Sequence, residues 1–253
     1  MKYLLLMLFL VPNISYGAFG DILNTDTDSC FIGGGGSCTI TVPATTADSL
    51  LLVWGRDESS GLTGASDASN GTWTTDLQLS TCGEFLNRNC TAVHVEGSAA
   101  SVVTVTLIGT GCFCTAYVHY IEYAGADTTA ALDAKSTDVG TYGASWTSPS
   151  VTPTASINAL LVGVAQSNDT ANTYTGSDGS TTRVSGDTGS WSMAIQDKII
   201  SSTSGSYTVS GTVSVGGASG ALLIFKAAAA GATTLPHIYF RGKTIIRGKT
   251  IFR

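Results

Sequence analysis

One segment of this chain occurs twice, and that repetition limits the possible folds more than any other feature. Pro43-Ala-Thr-Thr-Ala-Asp48-Ser-Leu50-Leu51-Leu52 returns 110 positions later as Pro153-Thr-Ala-Ser-Ile-Asn158-Ala-Leu160-Leu161-Val162. Each copy reads as a Pro-started turn, an Asp or Asn, and then an apolar strand. Further segments follow in the same order. Ala92-Val-His-Val-Glu96 answers to Met193-Ala-Ile-Gln196, Ser101–Leu107 to Gly205–Ser210, and Ala116–Glu122 to Ala221–Lys226. Short alternating apolar runs punctuated by Gly, Asn, Asp and Ser dominate, and no long 3.6-residue period appears, which predicts an all-β chain. The expectation is a two-sheet, jelly-roll-like sandwich built from two similar half-units that share one core, the second starting near Trp146.

The N-terminus has a positive start at Lys2, an apolar run from Leu4 to Val11, and small residues at Ser15 and Gly17. This pattern predicts a signal peptide over residues 1–17. The run falls short of the ~20 residues that span a bilayer. The following organisation is a sandwich domain over 18–226, a linker over 227–236 and a basic tail over 237–253. Charged residues are only 12% of the chain, yet Val, Ile, Leu and aromatics recur steadily, so a packed core is expected rather than disorder. Residues 18–226 hold all 18 acidic side chains against six Lys or Arg. A body charge near −12 argues against nucleic acid as its partner.

Six cysteines, Cys30, Cys38, Cys82, Cys90, Cys112 and Cys114, suit disulfides in an exported chain. A Cys30–Cys38 staple across the glycine run Gly33–Gly36 is the first expectation. Cys112 and Cys114 lie two apart on one strand face and reach more naturally toward Cys82 and Cys90. Six cysteines allow 15 connectivities, so the rest of the map stays open.

The tail repeats a hexad, Arg241-Gly-Lys243-Thr-Ile-Ile and Arg247-Gly-Lys249-Thr-Ile-Phe, before Arg253. In a strand, a period of six keeps each repeat on the same face. A basic, β-prone ending of this kind is expected to pair with its own acidic body, with another subunit, or with a cell-surface component. Gly-Lys-Thr without an upstream glycine or a following helix is not a phosphate loop.

The chain carries few motifs of chemistry. Gly-x-Ser-x-Gly is absent. His94 and Glu96 share a strand face as a possible ligand pair but lack a third member, and His119 reads as a half-buried strand residue. Asp57, Glu58, Asp169, Asn172 and Asp178 could offer loop oxygens to Ca²⁺, without a recognised spacing. Trp54 and Trp73 read as core. Trp146, Tyr142 and Tyr174, in Gly/Ser/Thr-rich stretches, are the candidates for an exposed sugar-stacking platform.

The phrases Asp67-Ala-Ser-Asn-Gly-Thr-Trp73, Tyr117-Val-His-Tyr-Ile-Glu-Tyr-Ala-Gly-Ala-Asp127 continuing to Leu132-Asp133, and Asn158-Ala-Leu-Leu-Val-Gly163 resemble those of an uncharacterised β-sandwich module of bacterial and phage extracellular proteins. The resemblance spans roughly residues 38–227 and rests on short, turn-rich phrases. It implies a surface, adhesion or virion-associated part and supplies no catalytic residue. The expectation is therefore a secreted or cell-surface protein, structural or adhesive and not an enzyme, that needs no cofactor. A carbohydrate-binding module is the alternative.

Overall fold

A computed structural model describes residues 17–34, 36–57, 62–79, 90–110, 114–154, 158–170, 172–187, 191–202, 204–229, 239–240 and 243–244. Nineteen strands and no helix occur among them. The first half contributes β1 (Ile22–Ile32), β2 (Ser37–Thr41), β3 (Leu50–Arg56), β4 (Leu62–Asp67), β5 (Gly71–Thr72), β6 (Thr74–Leu79), β7 (Cys90–Val95), β8 (Thr104–Gly109) and β9 (Cys114–Tyr123). The second contributes β10 (Leu132–Lys135), β11 (Ser145–Thr147), β12 (Ala159–Ser167), β13 (Tyr174–Gly176), β14 (Thr181–Asp187), β15 (Ser192–Ile200), β16 (Ser210–Val213) and β17 (Ala218–Lys226). In the tail, β18 (Tyr239–Phe240) pairs with β19 (Lys243–Thr244) in a separate two-stranded ladder.

The two halves repeat one topology. Strand order β1-β9-β3-β7-β6 in the first half matches β10-β17-β12-β15-β14 in the second, and β2-β8-β4-β5 matches β11-β16-β13. Every pairing in these four sheets is antiparallel. Irregularities recur at equivalent places: β1 shifts register between Ile22 and Asn24, and β10 between Leu132 and Ala134. The second half therefore opens at Leu132, earlier than the Trp146 that the sequence suggested.

The all-β sandwich and its two half-units stand, but the arrangement of layers differs from the expectation. Each half is itself a two-sheet sandwich, and no strand pairs across the halves among the described residues. The five-stranded inner sheets meet face to face and the smaller sheets lie outside, giving four layers. Leu51, Val53, Val93 and Val118 face the outer sheet of their own half, with Ile40, Trp73, Val105 and Leu107. Leu161, Ala165 and Ile224 do the same in the second half, around Trp146 and Val209. Leu50, Leu52, Trp54 and Ile121 instead meet Leu160, Val162, Met193, Leu223 and Phe225 in a central core. Successive side chains point to opposite faces of a strand, and in β3 and β12 both faces are covered, so every residue of these strands is buried.

Local motifs of the sequence serve this packing. Asp67 accepts the Ser69 and Asn70 amides at 2.7 and 2.8 Å, the Asn70 side-chain amide at 2.8 Å and the Trp73 indole N–H at 2.8 Å. Burial pushes its carboxyl up, but the bonds from Asn70, Trp73 and Ser69 prevail and hold it below the usual range. The phrase from Asp67 to Trp73 is thus an Asx turn that anchors a core tryptophan, with Gly71 at φ 75° supplying the left-handed residue. Cys30 and Cys38 form the expected disulfide between β1 and β2. Cys90 and Cys114 are also disulfide-bonded, and no described cysteine is free. Cys82 and Cys112 lie outside the described residues, as do residues 1–16 of the expected leader.

Candidate functional site

The inner sheets stack with their strand orders reversed, so the joint has an approximate twofold relation. The edge strand β1 lies against β14 on one side, while on the other side Lys135 of β10 donates to the Asp76 carbonyl of β6. These two seams are equivalent by topology, and they differ in chemistry.

The β6/β10 seam is closed by charge. Asp76 sits at the register shift of β6, and His94 is on the neighbouring β7. His94 Nδ1–H donates to Asp76 at 2.8 Å, and Nε2–H faces Glu96 at 3.3 Å. Two carboxylates facing both ring nitrogens favour the imidazolium. Burial would lower the His94 value, but Asp76 and then Glu96 outweigh it and raise it. Burial raises the Asp76 carboxyl against the pull of His94. Glu96 also accepts the Ala131 amide at 2.6 Å, and the His94 ring meets Phe225 edge-on at 5.4 Å. This group binds the first half to the beginning and end of the second.

The β1/β14 seam carries the same positions with reversed polarity. In the pairing registers, Leu52 opposes His94 and Val162 opposes Asp197, so His94 and Asp197 correspond. Asp76 corresponds to Arg183, the residue at the matching shift of β14. Acid and base have exchanged strands, and Arg183 Nε–H donates to Asp197 at 2.7 Å. Burial raises the Asp197 carboxyl even so, and burial with the neighbouring Asp197 charge pushes the Tyr123 phenol well up.

Farther along this seam the stack opens into a pocket of about 230 Å³. Thr27 and Ser29 of β1, Tyr117 and His119 of β9, and Gly186 and Met193 of the second half line it. The registers place His119 where Ala221 stands in the other seam, and Gly186 where Leu79 stands. Large and small residues have changed places: a Cβ on Gly186 would lie 3.0 Å from His119 Cε1. His119 Nε2–H donates to the Met193 carbonyl at 2.9 Å, tying the halves together. Burial holds its value down to about 4 despite that bond, so the ring is neutral near pH 7. Its other nitrogen, Nδ1, is buried and meets no donor among the described residues. An unpaired buried acceptor of this kind costs about 1–3 kcal/mol.

At the centre of the joint, Trp54 donates to the Ala165 carbonyl at 3.4 Å. The fully buried Arg56 lies 4.4 Å over the Trp191 ring and donates to the Ser167 carbonyl and to Asn168. Tyr117 meets Trp191 edge-on at 5.5 Å.

Two of the three aromatic candidates do not form the expected exposed platform. Trp146 is 1% exposed and Tyr174 4%. Glycines of three other strands clear a slot for the indole: Cβ atoms on Gly163, Gly211 and Gly220 would lie 3.4, 3.0 and 2.5 Å from it. Tyr174 is inside the second outer core, its hydroxyl bonded to the Ser192 carbonyl at 2.9 Å. Tyr142 alone is part-exposed, packed over Gly217.

The oxygen-bearing loops are likewise occupied locally. Asp57 accepts the Leu62 amide at 2.5 Å, Asn172 accepts the Val215 amide at 2.9 Å, and Asp178 pairs with Lys198 at 2.5 Å. Glu58 lies outside the described residues. No cluster of three or more metal-ligating side chains occurs among the described residues. In the tail, Lys243 belongs to β19, while Arg241, Arg247, Lys249 and Arg253 lie outside the described residues. Ala227, the first residue of the expected linker, bridges to Ala126 of the body.

Protein-family models, curated proteins and solved structures offer no match to this chain.

The sequence flagged His94 with Glu96 and read His119 as a half-buried strand residue, which the structure buries fully and bonds to Met193; it missed Asp76, Arg183, Asp197 and Gly186. The continuous apolar runs of β3 and β12 contained a usable signal, because a strand apolar on both faces is covered on both.

Proposed function

We propose that this chain is a secreted, non-enzymatic structural or adhesive protein of a cell or particle surface. The four-layer stack is the displayed body, and the basic C-terminal tail is the assembly or docking element. The observation that carries this reading is where the interior polar groups are spent. Asp76, His94, Arg183 and Asp197 pair across strands within the joint, and Arg56 spans the two halves. Such an interior favours a rigid scaffold over turnover. The Cys30–Cys38 disulfide fits an oxidising location. The likeness of the Asp67–Trp73 phrase to extracellular sandwich modules, virion-associated ones included, points the same way.

The tail carries five Lys or Arg and no acid, a charge that suits docking on an anionic subunit or surface. The test is to compare the full chain with one lacking residues 235–253 for oligomer mass and for retention on producing cells or particles. Loss of retention with an unchanged body is the expected result. Equal retention by both would overturn the role given to the tail.

A further inference from the structure

We propose that the pocket in the β1/β14 seam is a binding site for one uncharged, polyhydroxylated ring of the sugar class. Its walls offer hydroxyls from Thr27, Ser29 and Tyr117 beside the imidazole of His119. These groups donate and accept at close spacing without net charge, which is the chemistry that recognises vicinal hydroxyls. The carboxylate at this edge, Asp28, is turned to the Ser29 and Thr41 amides at 2.7 and 3.2 Å. Arg183, the cation of the same strand as Gly186, is held by Asp197. An ionic ligand would therefore find no free counter-charge among these groups.

Size points the same way. About 230 Å³ lies below the roughly 300–1,000 Å³ of sites for drug-sized ligands, so a single ring is the natural occupant. The tautomer is also fixed. With Nε2–H committed to the Met193 carbonyl, the neutral ring keeps Nδ1 buried, without a donor among the described residues, and turns its carbon edge toward Gly186. The equivalent positions of the closed seam carry Leu79, Ala221 and Ser219 in place of Gly186, His119 and Tyr117. This group of polar residues therefore belongs to one seam and is not a by-product of the duplicated fold. The site is independent of the C-terminal tail and of the assembly role given to it.

The test is an NMR titration of the intact folded chain with the methyl glycosides of glucose, galactose, mannose and N-acetylglucosamine, each up to 50 mM, following the His119 imidazole signals. Saturable displacement of these signals by at least one glycoside is expected, with the His94 signals unmoved. The T27V/S29A variant keeps the strand and removes two hydroxyls, and it should weaken binding at least tenfold. G186A, which narrows the pocket toward His119, should weaken it by a comparable factor. A circular dichroism spectrum identical to that of the parent confirms that each variant folds. The proposal is overturned if no glycoside moves His119, or if binding persists unchanged in both folded variants.

Discussion

The two seams of the joint make one experiment that the molecule has already performed on itself. Both come from the same topology, and both place an acid–base pair at the register shift of an edge strand. In one, Asp76 faces His94; in the other, Arg183 faces Asp197. In one, the equivalent register positions carry Leu79 and Ala221; in the other, Gly186 makes room for His119. The repeated topology thus sets polar groups at equivalent points of the joint, and the two seams differ in which strand carries the base. A charge pair survives when its polarity is exchanged, because its two members stay adjacent. In the β1/β14 seam, Gly186 and His119 stand in place of Leu79 and Ala221, and both line the polar pocket.

Breaking the shared core should produce the largest effect. Phe225→Ala removes a ring that packs in the central core and against His94, and it should cost about 3–5 kcal/mol in denaturant unfolding. Both halves should lose stability together in one transition. Asp76→Ala comes next, since it leaves His94 buried without its main partner. About 3 kcal/mol is expected, within the range for breaking buried pairs. Arg183→Ala on the other seam should cost less, about 1 kcal/mol, because the Arg183 side chain is 35% exposed and its pair is partly screened by solvent. Equal losses for the two would mean that the seams are energetically alike.

The pH dependence sharpens the same contrast. His119 has a native value near 4, below its unfolded value of 6.5. The unfolded chain binds the extra proton between these limits, so stability falls as pH drops from 6.5 to 4, by about 3 kcal/mol. His94 runs the other way. Its native value is raised, so its contribution is complete below 6.5 and fades as pH rises through the native value. Urea midpoints of the parent, H119Q and H94Q chains across pH 4–9 separate the two. H119Q should flatten the acid limb and H94Q the alkaline one. A further effect, independent of the histidines, is expected at the periphery. The C30A/C38A pair opens a loop with a sequence separation of eight and should cost about 2–3 kcal/mol on loop entropy. That loss lies in the first half, away from the joint, and should leave both histidine profiles unchanged.

The half-units were legible because a strand, its turn and its neighbours recur in order, from the Pro43 and Pro153 segments onward. Four layers were not read from the alternation of most strands, since a strand buried on one face looks alike in any sandwich. The exceptions were Leu50–Trp54 and Ala159–Ala165, whose unbroken apolar runs reflect cover on both faces. Trp146 misled because glycine-rich strands can be either exposed turns or a slot for a large ring, and only the fold distinguishes these. Asp76 with His94, and Arg183 with Asp197, are separated in sequence by the lengths of their hairpins. Their pairing depends on register, and one residue of slip would have put each on the opposite face.

Hydrogen exchange of backbone amides in β3 and β12, measured on the intact chain under native conditions, tests the joint most directly. If the two inner sheets form one cooperative core, amides of Leu52 and Val162 exchange only through global unfolding, with the same opening free energy. Exchange from one of these strands at a markedly lower free energy, with the other still protected, would contradict the account.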